Sequence, residues 1–433
     1  MKKILFIACA ALLAFNVHAE KEKHVILITI DGFRPDFYFE KEWHTPNLHK
    51  MVQEGTYAFG INSVFPSITY PSHTTIVTGV QPAEHGIYYN SVFEPDSVTG
   101  KIYWNFHQIT APTLWQAVTN VGLKASSINW PASAEAPVTY NIPDIGGRQD
   151  DMIKYAVPTG FLDTLNNQLF HRKEIADIDL GKDQNSAKIA AWVIKKDKPN
   201  FMTIHLFSVD HFEHQEGRQG KKVEEAIADA DAGVGIIRQA IQEAGMTDNT
   251  LLIVTGDHGF LDVNTNVFPN VWLAKAGLLD NPNGQWKARF HSTGGSAFLF
   301  LKDKNDTETL LKVKSMLKNL PADEKKYIRV ITTAEAQKIG ADPNASLELS
   351  GLNGASFGNE YTGKAVRTGK GGTHGYYPDC REIQTGFICV GKNVQNNYEI
   401  KEMNLRDITA IVAQYLEIQM PSCKGKVPAG LFK

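Results

Sequence analysis

Three short apolar runs in this chain end in the same kind of residue. His24–Ile30 is followed by Asp31-Gly32, residues 201–207 lead to Asp210, and residues 250–254 lead to Gly256-Asp257-His258. Runs this short, continuous and rich in Ile, Val and Leu read as strands buried on both faces. Burial on both faces needs helices above and below, hence a mostly parallel sheet in an α/β sandwich. In such folds ligands gather at the carboxyl ends of the strands. The three acidic clusters sit there, so the pattern that sets the fold also marks one shared site.

Helical signals alternate with these runs. Thr45-Pro46 starts a helix closed by Gly55, and Pro71-Ser72-His73 opens another that ends near Gly79. Residues 113–121, 186–195, 223–244 and 407–416 also read as helices, with strands at 124–128 and 386–390. Residues of about 260–372 differ. They hold a helix near 309–320, strands near 297–301 and 327–331, and Gly/Asn-rich loops. The expected organisation is a core domain over 20–260, an inserted α/β subdomain over 261–371, and the C-terminal part of the core over 372–433.

The first residues read as a signal peptide. Lys2 and Lys3 precede an apolar stretch at 4–15, and Val17-His18-Ala19 is a small-residue cleavage site. The stretch is shorter than the ~20 residues that span a bilayer. This predicts export, to the periplasm or beyond, after cleavage near Ala19, with no stable membrane span. Loss of residues 1–19 leaves 42 basic against 47 acidic residues, with no basic stripe. That balance predicts no nucleic-acid partner. Export permits disulfides. Cys389 lies in an apolar run and reads as a buried thiol, whereas Cys380 and Cys423 lie in polar loops, where pairing is open.

Carboxylates mixed with imidazoles suit zinc. Asp210 and His214 are four residues apart in a segment that starts as a strand end, so both can turn toward one ion. Asp257 and His258 are adjacent, and a tight turn after a strand would let both reach a metal. Thr69, two residues before Pro71, lies near a helix N-terminus, a good seat for a phosphate. A threonine hydroxyl is a weak nucleophile until a base or a metal activates it.

Six segments, taken in order, are specific. They are Ile30-Asp31-Gly32-Phe33-Arg34, Thr69-Tyr70-Pro71-Ser72-His73, His85-Gly86-Ile87 with Asn90, Asp210 with His214, Asp257-His258-Gly259, and Thr373-His374-Gly375-Tyr376. From Val25 to about Leu416 the chain resembles the nucleotide pyrophosphatase/phosphodiesterase branch of the alkaline phosphatase superfamily. The resemblance implies an alkaline-phosphatase-like sandwich with two zinc ions. It places Asp31, Asp257 and His258 on one ion, with Thr69 as its reactive ligand, and Asp210, His214 and His374 on the other. It places Asn90 as an amide facing the phosphate, and Tyr70 as one wall of a base slot. Where the family often has a tyrosine as the second wall, five residues before Asp210, this chain has His205. His211 reads as a surface histidine, His73 and His85 as structural, and Arg34 as structural support.

The implied chemistry is hydrolysis of a small phosphodiester or a nucleotide pyrophosphate through a phospho-threonine on Thr69. Asn90 and a backbone N–H near Thr69 would stabilise the charge that builds on phosphorus. A phosphomonoesterase or phosphonate hydrolase on the same scaffold remains open, as does an inactive binding protein. Monoesters usually call for a cationic side chain at the site, and the sequence places none beside Thr69.

Overall fold

The computed structural model describes residues 22–97, 99–146, 149–175 and 178–433. The expected signal peptide lies outside these residues. Among the described residues, no helix is long and apolar enough to cross a membrane.

Among the described residues, the core sheet has eight strands. In chain order the first six are β1 (His24–Ile30), β2 (Thr56–Ile61), β3 (Ala125–Ile128), β4 (Tyr140–Ile142), β5 (Phe201–Leu206) and β6 (Thr250–Thr255). Two later strands, Thr385–Val390 and Tyr398–Ile400, complete it. The spatial order is Tyr398–Ile400, β2, Thr385–Val390, β6, β1, β5, β3, β4. β1 lies between β5 and β6 and is parallel to both. Thr385–Val390 runs antiparallel to its neighbours β6 and β2, and the other pairings are parallel. The mostly parallel sandwich read from the sequence is the architecture observed.

Period-two alternation divides β1 between two cores. Ile26, Ile28 and Ile30 enter one apolar cluster with residues of the helices Pro46–Glu54, Asp183–Asp197 and Lys221–Glu243. Val25 and Leu27 enter the other, with residues of Thr69–Thr78, Leu114–Asn120 and Leu405–Leu416. Every β1 residue is buried, which is why the run shows no polar alternation in sequence.

Between β6 and Thr385–Val390 the chain builds further sheets. The largest is four-stranded, ordered Ala288–Ser292, Ser296–Leu301, Leu347–Gly351, Ile328–Ile331, and antiparallel throughout. With helix Thr307–Lys318 it encloses its own apolar cluster, which includes Phe290, Leu299, Val313 and Leu349. The two ends of this stretch pair with each other, Leu261–Asp262 against Gly372–Thr373. A separate cluster joins it to the core: Phe65, Ile68 and Tyr89 pack with Phe298, Phe300 and Ile331.

Two local expectations need correction. Helix Thr69–Thr78 starts at Thr69, not after Pro71. Pro71 falls in its first turn, where a missing N–H leaves no ladder bond unmade. Asp210 and His214 lie on helix Ser208–Glu216, not in a segment that starts as a strand end, so their spacing is one helical turn. The open question of a Cys380–Cys423 disulfide is also answered, since both are free thiols and Cys389 is a buried one.

Candidate metal centre and active site

Strand order brings the acidic clusters together. Asp31 leaves β1 beside β5, its N–H donating to the Leu206 carbonyl at 2.8 Å. Asp257 and His258 leave β6 on the other side of β1. Gly256 makes that exit possible, because a Cβ there would stand 2.1 Å from Thr385 Oγ1 and 2.6 Å from Phe33 Cβ. Asp257 Oδ1 then accepts from the Gly32 N–H at 3.2 Å.

Helix Ser208–Glu216 supplies the next pair. Its N-terminus is held by Asp183, whose carboxylate accepts from the Phe207 N–H at 3.0 Å and from the Ser208 hydroxyl. His374 comes from the end of the neck formed by Gly372–Thr373. His214 Nε2 and His374 Nε2 lie 3.5 and 3.4 Å from Asp210 Oδ1. On the neighbouring side, His258 Nε2 lies 3.3 Å from Asp31 Oδ1 and 3.1 Å from Asp257 Oδ2. Asp31, Asp210 and His258 also converge, so the two groups are adjacent. The His258 and His374 rings stack at 3.7 Å.

Each imidazole is oriented by its other nitrogen. Nδ1 of His214, His258 and His374 lies 3.0, 3.2 and 3.2 Å from the carbonyls of Gly372, Gly259 and Ser67. A carbonyl only accepts, so Nδ1 carries the proton and Nε2 offers a lone pair to the centre, the arrangement of a metal-ligating histidine.

The electrostatics ask for a cation. Asp31 Oδ1, Asp210 Oδ1, Asp257 Oδ2 and His258 Nε2 are buried with no hydrogen-bond partner among the described residues. Burial, reinforced by the neighbouring carboxylates, pushes Asp210 and Asp257 well above the usual carboxylate range. Burial would raise Asp31 too, but the His205 hydrogen bond and the charges of His258, His205 and His73 hold it low. Burial lowers His214, pushes His258 down to about 4, and with the charges of His258 and His214 takes His374 well below its ordinary value. Neutral imidazoles facing unpaired carboxylates are a donor set for hard or borderline divalent ions, and the residues fit zinc.

Thr69 is the first residue of its helix and is 9% exposed. Residues on either side of it reach the two groups. The Ser67 carbonyl lies beside His374 Nδ1, while His73 Nδ1 sits 2.8 Å from the Thr69 carbonyl and 3.6 Å from Asp257 Oδ2. Asn90 Oδ1 accepts from the Tyr70 N–H at 2.9 Å, one of the free donors of the first helical turn. Its Nδ2 hydrogens have no partner among the described residues. Tyr70 is buried against Ile87 and Ala132, and its hydroxyl donates to Asp144 Oδ2 at 3.1 Å.

His205, expected as the second wall of a base slot, is enclosed in the interior of the site. It is 2% exposed, with Nε2 3.0 Å from Asp31 Oδ2, Nδ1 3.1 Å from the Asn129 carbonyl, and its ring 4.3 Å from that of His73. With both nitrogens engaged and the ring packed, it orients Asp31 and has no free face to stack on a base. The other histidines behave as read. His211 is exposed, and His85 Nε2 pairs with Thr75 Oγ1 at 3.0 Å. Arg34 is buried in ion pairs. The roles of Ser67 and Asp183 carry no local sequence signal, since each depends on a segment distant in the chain.

The sequence profile described as Type I phosphodiesterase / nucleotide pyrophosphatase matches residues 25–376. The chain is 24% identical over 422 residues to ectonucleotide pyrophosphatase/phosphodiesterase family member 7 of Rattus norvegicus, covering 93% of this chain and 85% of that protein. It is 22% identical over 408 residues to the venom phosphodiesterase CdcPDE of Crotalus durissus collilineatus, covering 92% of this chain but 45% of that one. It thus spans under half of that longer relative. Among solved structures, murine ectonucleotide pyrophosphatase/phosphodiesterase 5, an inactive threonine-to-alanine variant in complex with AMP, superposes with a TM-score of 0.68 at 20% identity, covering 94% of this chain and 98% of that chain. The human counterpart superposes at 0.67 and 19% identity, covering 92% and 96%.

Proposed function

Since the chain belongs to the Type I phosphodiesterase / nucleotide pyrophosphatase family, we propose that it is an exported two-zinc phosphodiesterase that works through a phospho-threonine on Thr69. The observation that carries this reading is the pair of adjacent carboxylate–imidazole groups with four buried, unpartnered ligand atoms. Asp31, Asp257 and His258 would hold one ion with Thr69, and Asp210, His214 and His374 the other. Bound zinc supplies positive charge beside the substrate and lowers the pKa of a coordinated hydroxyl.

The chain's own residues do the rest. The Thr69 hydroxyl gives up its proton, and its oxygen bonds to phosphorus. The ester or pyrophosphate oxygen on the far side leaves with the bonding electrons and takes up a proton. Asn90, its carbonyl anchored on the Tyr70 N–H, donates Nδ2 to a non-bridging oxygen as charge builds. One such donor is typically worth ~3 kcal/mol. Water then cleaves the phospho-threonine, releasing a phosphomonoester and restoring the hydroxyl. His205 and His73 hold Asp31 and the Thr69 turn in place. Residues 1–19 serve as the export signal, and residues 261–371 form the inserted subdomain.

The substrate class is a small phosphodiester, including nucleotide pyrophosphates, with Tyr70 lining the leaving-group or base side. The test compares bis(p-nitrophenyl) phosphate with p-nitrophenyl phosphate. Higher kcat/KM on the diester is expected, and a clear preference for the monoester would overturn the reading.

A further inference from the structure

Glu213 lies on helix Ser208–Glu216 between Asp210 and His214, and its side chain is fully buried. The proposed chemistry does not use it. Its Oε1 lies 2.8 Å from Nε of Arg34, a side chain only 1% exposed, on the segment that carries Asp31. The rest of the guanidinium is also engaged. Nη1 lies 3.1 Å from Asp36 Oδ2, Nη2 donates to the Arg218 carbonyl at 2.8 Å, and the group sits 4.3 Å from the Phe37 ring centroid.

The fit beneath Glu213 is close. Gly32, next to Asp31, has φ +72°, and a Cβ there would come 2.5 Å from Glu213 Oε2. Glycine is what lets the Asp31 segment approach the helix. Arg218, just beyond the helix, extends the network to a third segment. Its N–H donates to Asp262 Oδ1 at 2.7 Å and its Nη1 to the Phe260 carbonyl at 2.6 Å. One connected set of charges therefore joins the segments that bear Asp31, Asp210 with His214, and Asp257 with His258.

A buried ion pair is a poor way to gain stability, because well-packed apolar side chains of similar volume often do as well or better. It does fix one separation and orientation of the segments it joins. From this geometry we infer that Arg34 and Glu213 are positioning residues that set the spacing between the two ligand groups, an inference that rests on the two-metal reading above. Outer partners that orient metal ligands typically affect affinity by about 10–100-fold.

The experiment measures zinc affinity by competition with a chromophoric chelator, together with the melting temperature of the zinc-free protein. It uses the wild type, Glu213→Gln, and the double variant Arg34→Met/Glu213→Leu. Glu213→Gln keeps shape and loses the charge. The double variant replaces the pair with apolar bulk. The expected result is that both variants fold but bind the weaker zinc at least about tenfold less tightly, with the double variant melting close to the wild type. Wild-type zinc affinity in either folded variant would overturn the inference while leaving the metal reading intact. A wild type that takes up no zinc would sink both.

Discussion

The two ligand groups are built differently. Asp31, Asp257 and His258 come from the exits of adjacent parallel strands, and their side chains are 5%, 0% and 0% exposed. Asp210, His214 and His374 come from a helix and from the neck of the Leu261–Thr373 stretch, at 18%, 42% and 9%. The first group is fixed by the sheet itself. The second is assembled from elements that must be held against the sheet, and it opens to solvent at His214. The contrast is between an inner group buried at the strand exits and an outer group open at His214.

The largest effect should come from removing the Thr69 hydroxyl while leaving the six Asp and His side chains in place. Thr69→Ala is expected to lower kcat by at least about 10³-fold, with zinc content unchanged by metal analysis. Retained turnover would remove Thr69 from its role. Next, His258→Ala and His214→Ala should separate the groups. The inner change empties a fully buried carboxylate cluster, so it should lower zinc uptake and the melting temperature together. The outer change should remove one equivalent and leave the zinc-free melting temperature nearly unaltered. Equal effects would break the comparison.

Acidity gives a third test. Burial takes His258 down to about 4 and lowers His374, so the unfolded chain binds more protons than the fold below an unperturbed value of ~6.5. Stability from these histidines is present above that value and is lost as pH falls toward about 4. Asp210 and Asp257 are shifted the other way by burial, so the zinc-free fold is penalised as pH rises and they ionise. Zinc binding offsets that penalty and needs neutral imidazoles. The rise in melting temperature on adding zinc should therefore be larger at pH 8 than at pH 5, and a flat response would contradict this. The smallest effect is expected from Tyr70→Phe. It removes the hydroxyl bond to Asp144, worth about 1 kcal/mol, and should shift KM for a nucleotide diester several-fold with kcat nearly unchanged.

The same contrast explains what was legible in the sequence. The inner group could be read from local pattern, because a continuous apolar run followed by Asp31 or Asp257-His258 marks a strand exit in a doubly covered sheet. Asp210 and His214 were found by spacing, but their helix was missed because β5 ends at Leu206 and its helix follows at once. His374 had no local signal and came only through the family resemblance. The contacts of His205 were not legible, because its position relative to Asp210 says nothing of the neighbouring strand β1, whose end brings Asp31 to its Nε2. The short strand Leu347–Gly351 is stabilised by pairing with Ser296–Leu301, far along the chain, which local pattern does not contain.

The most direct test is a zinc titration of chelator-stripped protein, following bound metal and bis(p-nitrophenyl) phosphate hydrolysis together. The account predicts uptake of two equivalents per chain, with activity appearing as the second group fills. Uptake of one equivalent or none, or full activity without zinc, would contradict it.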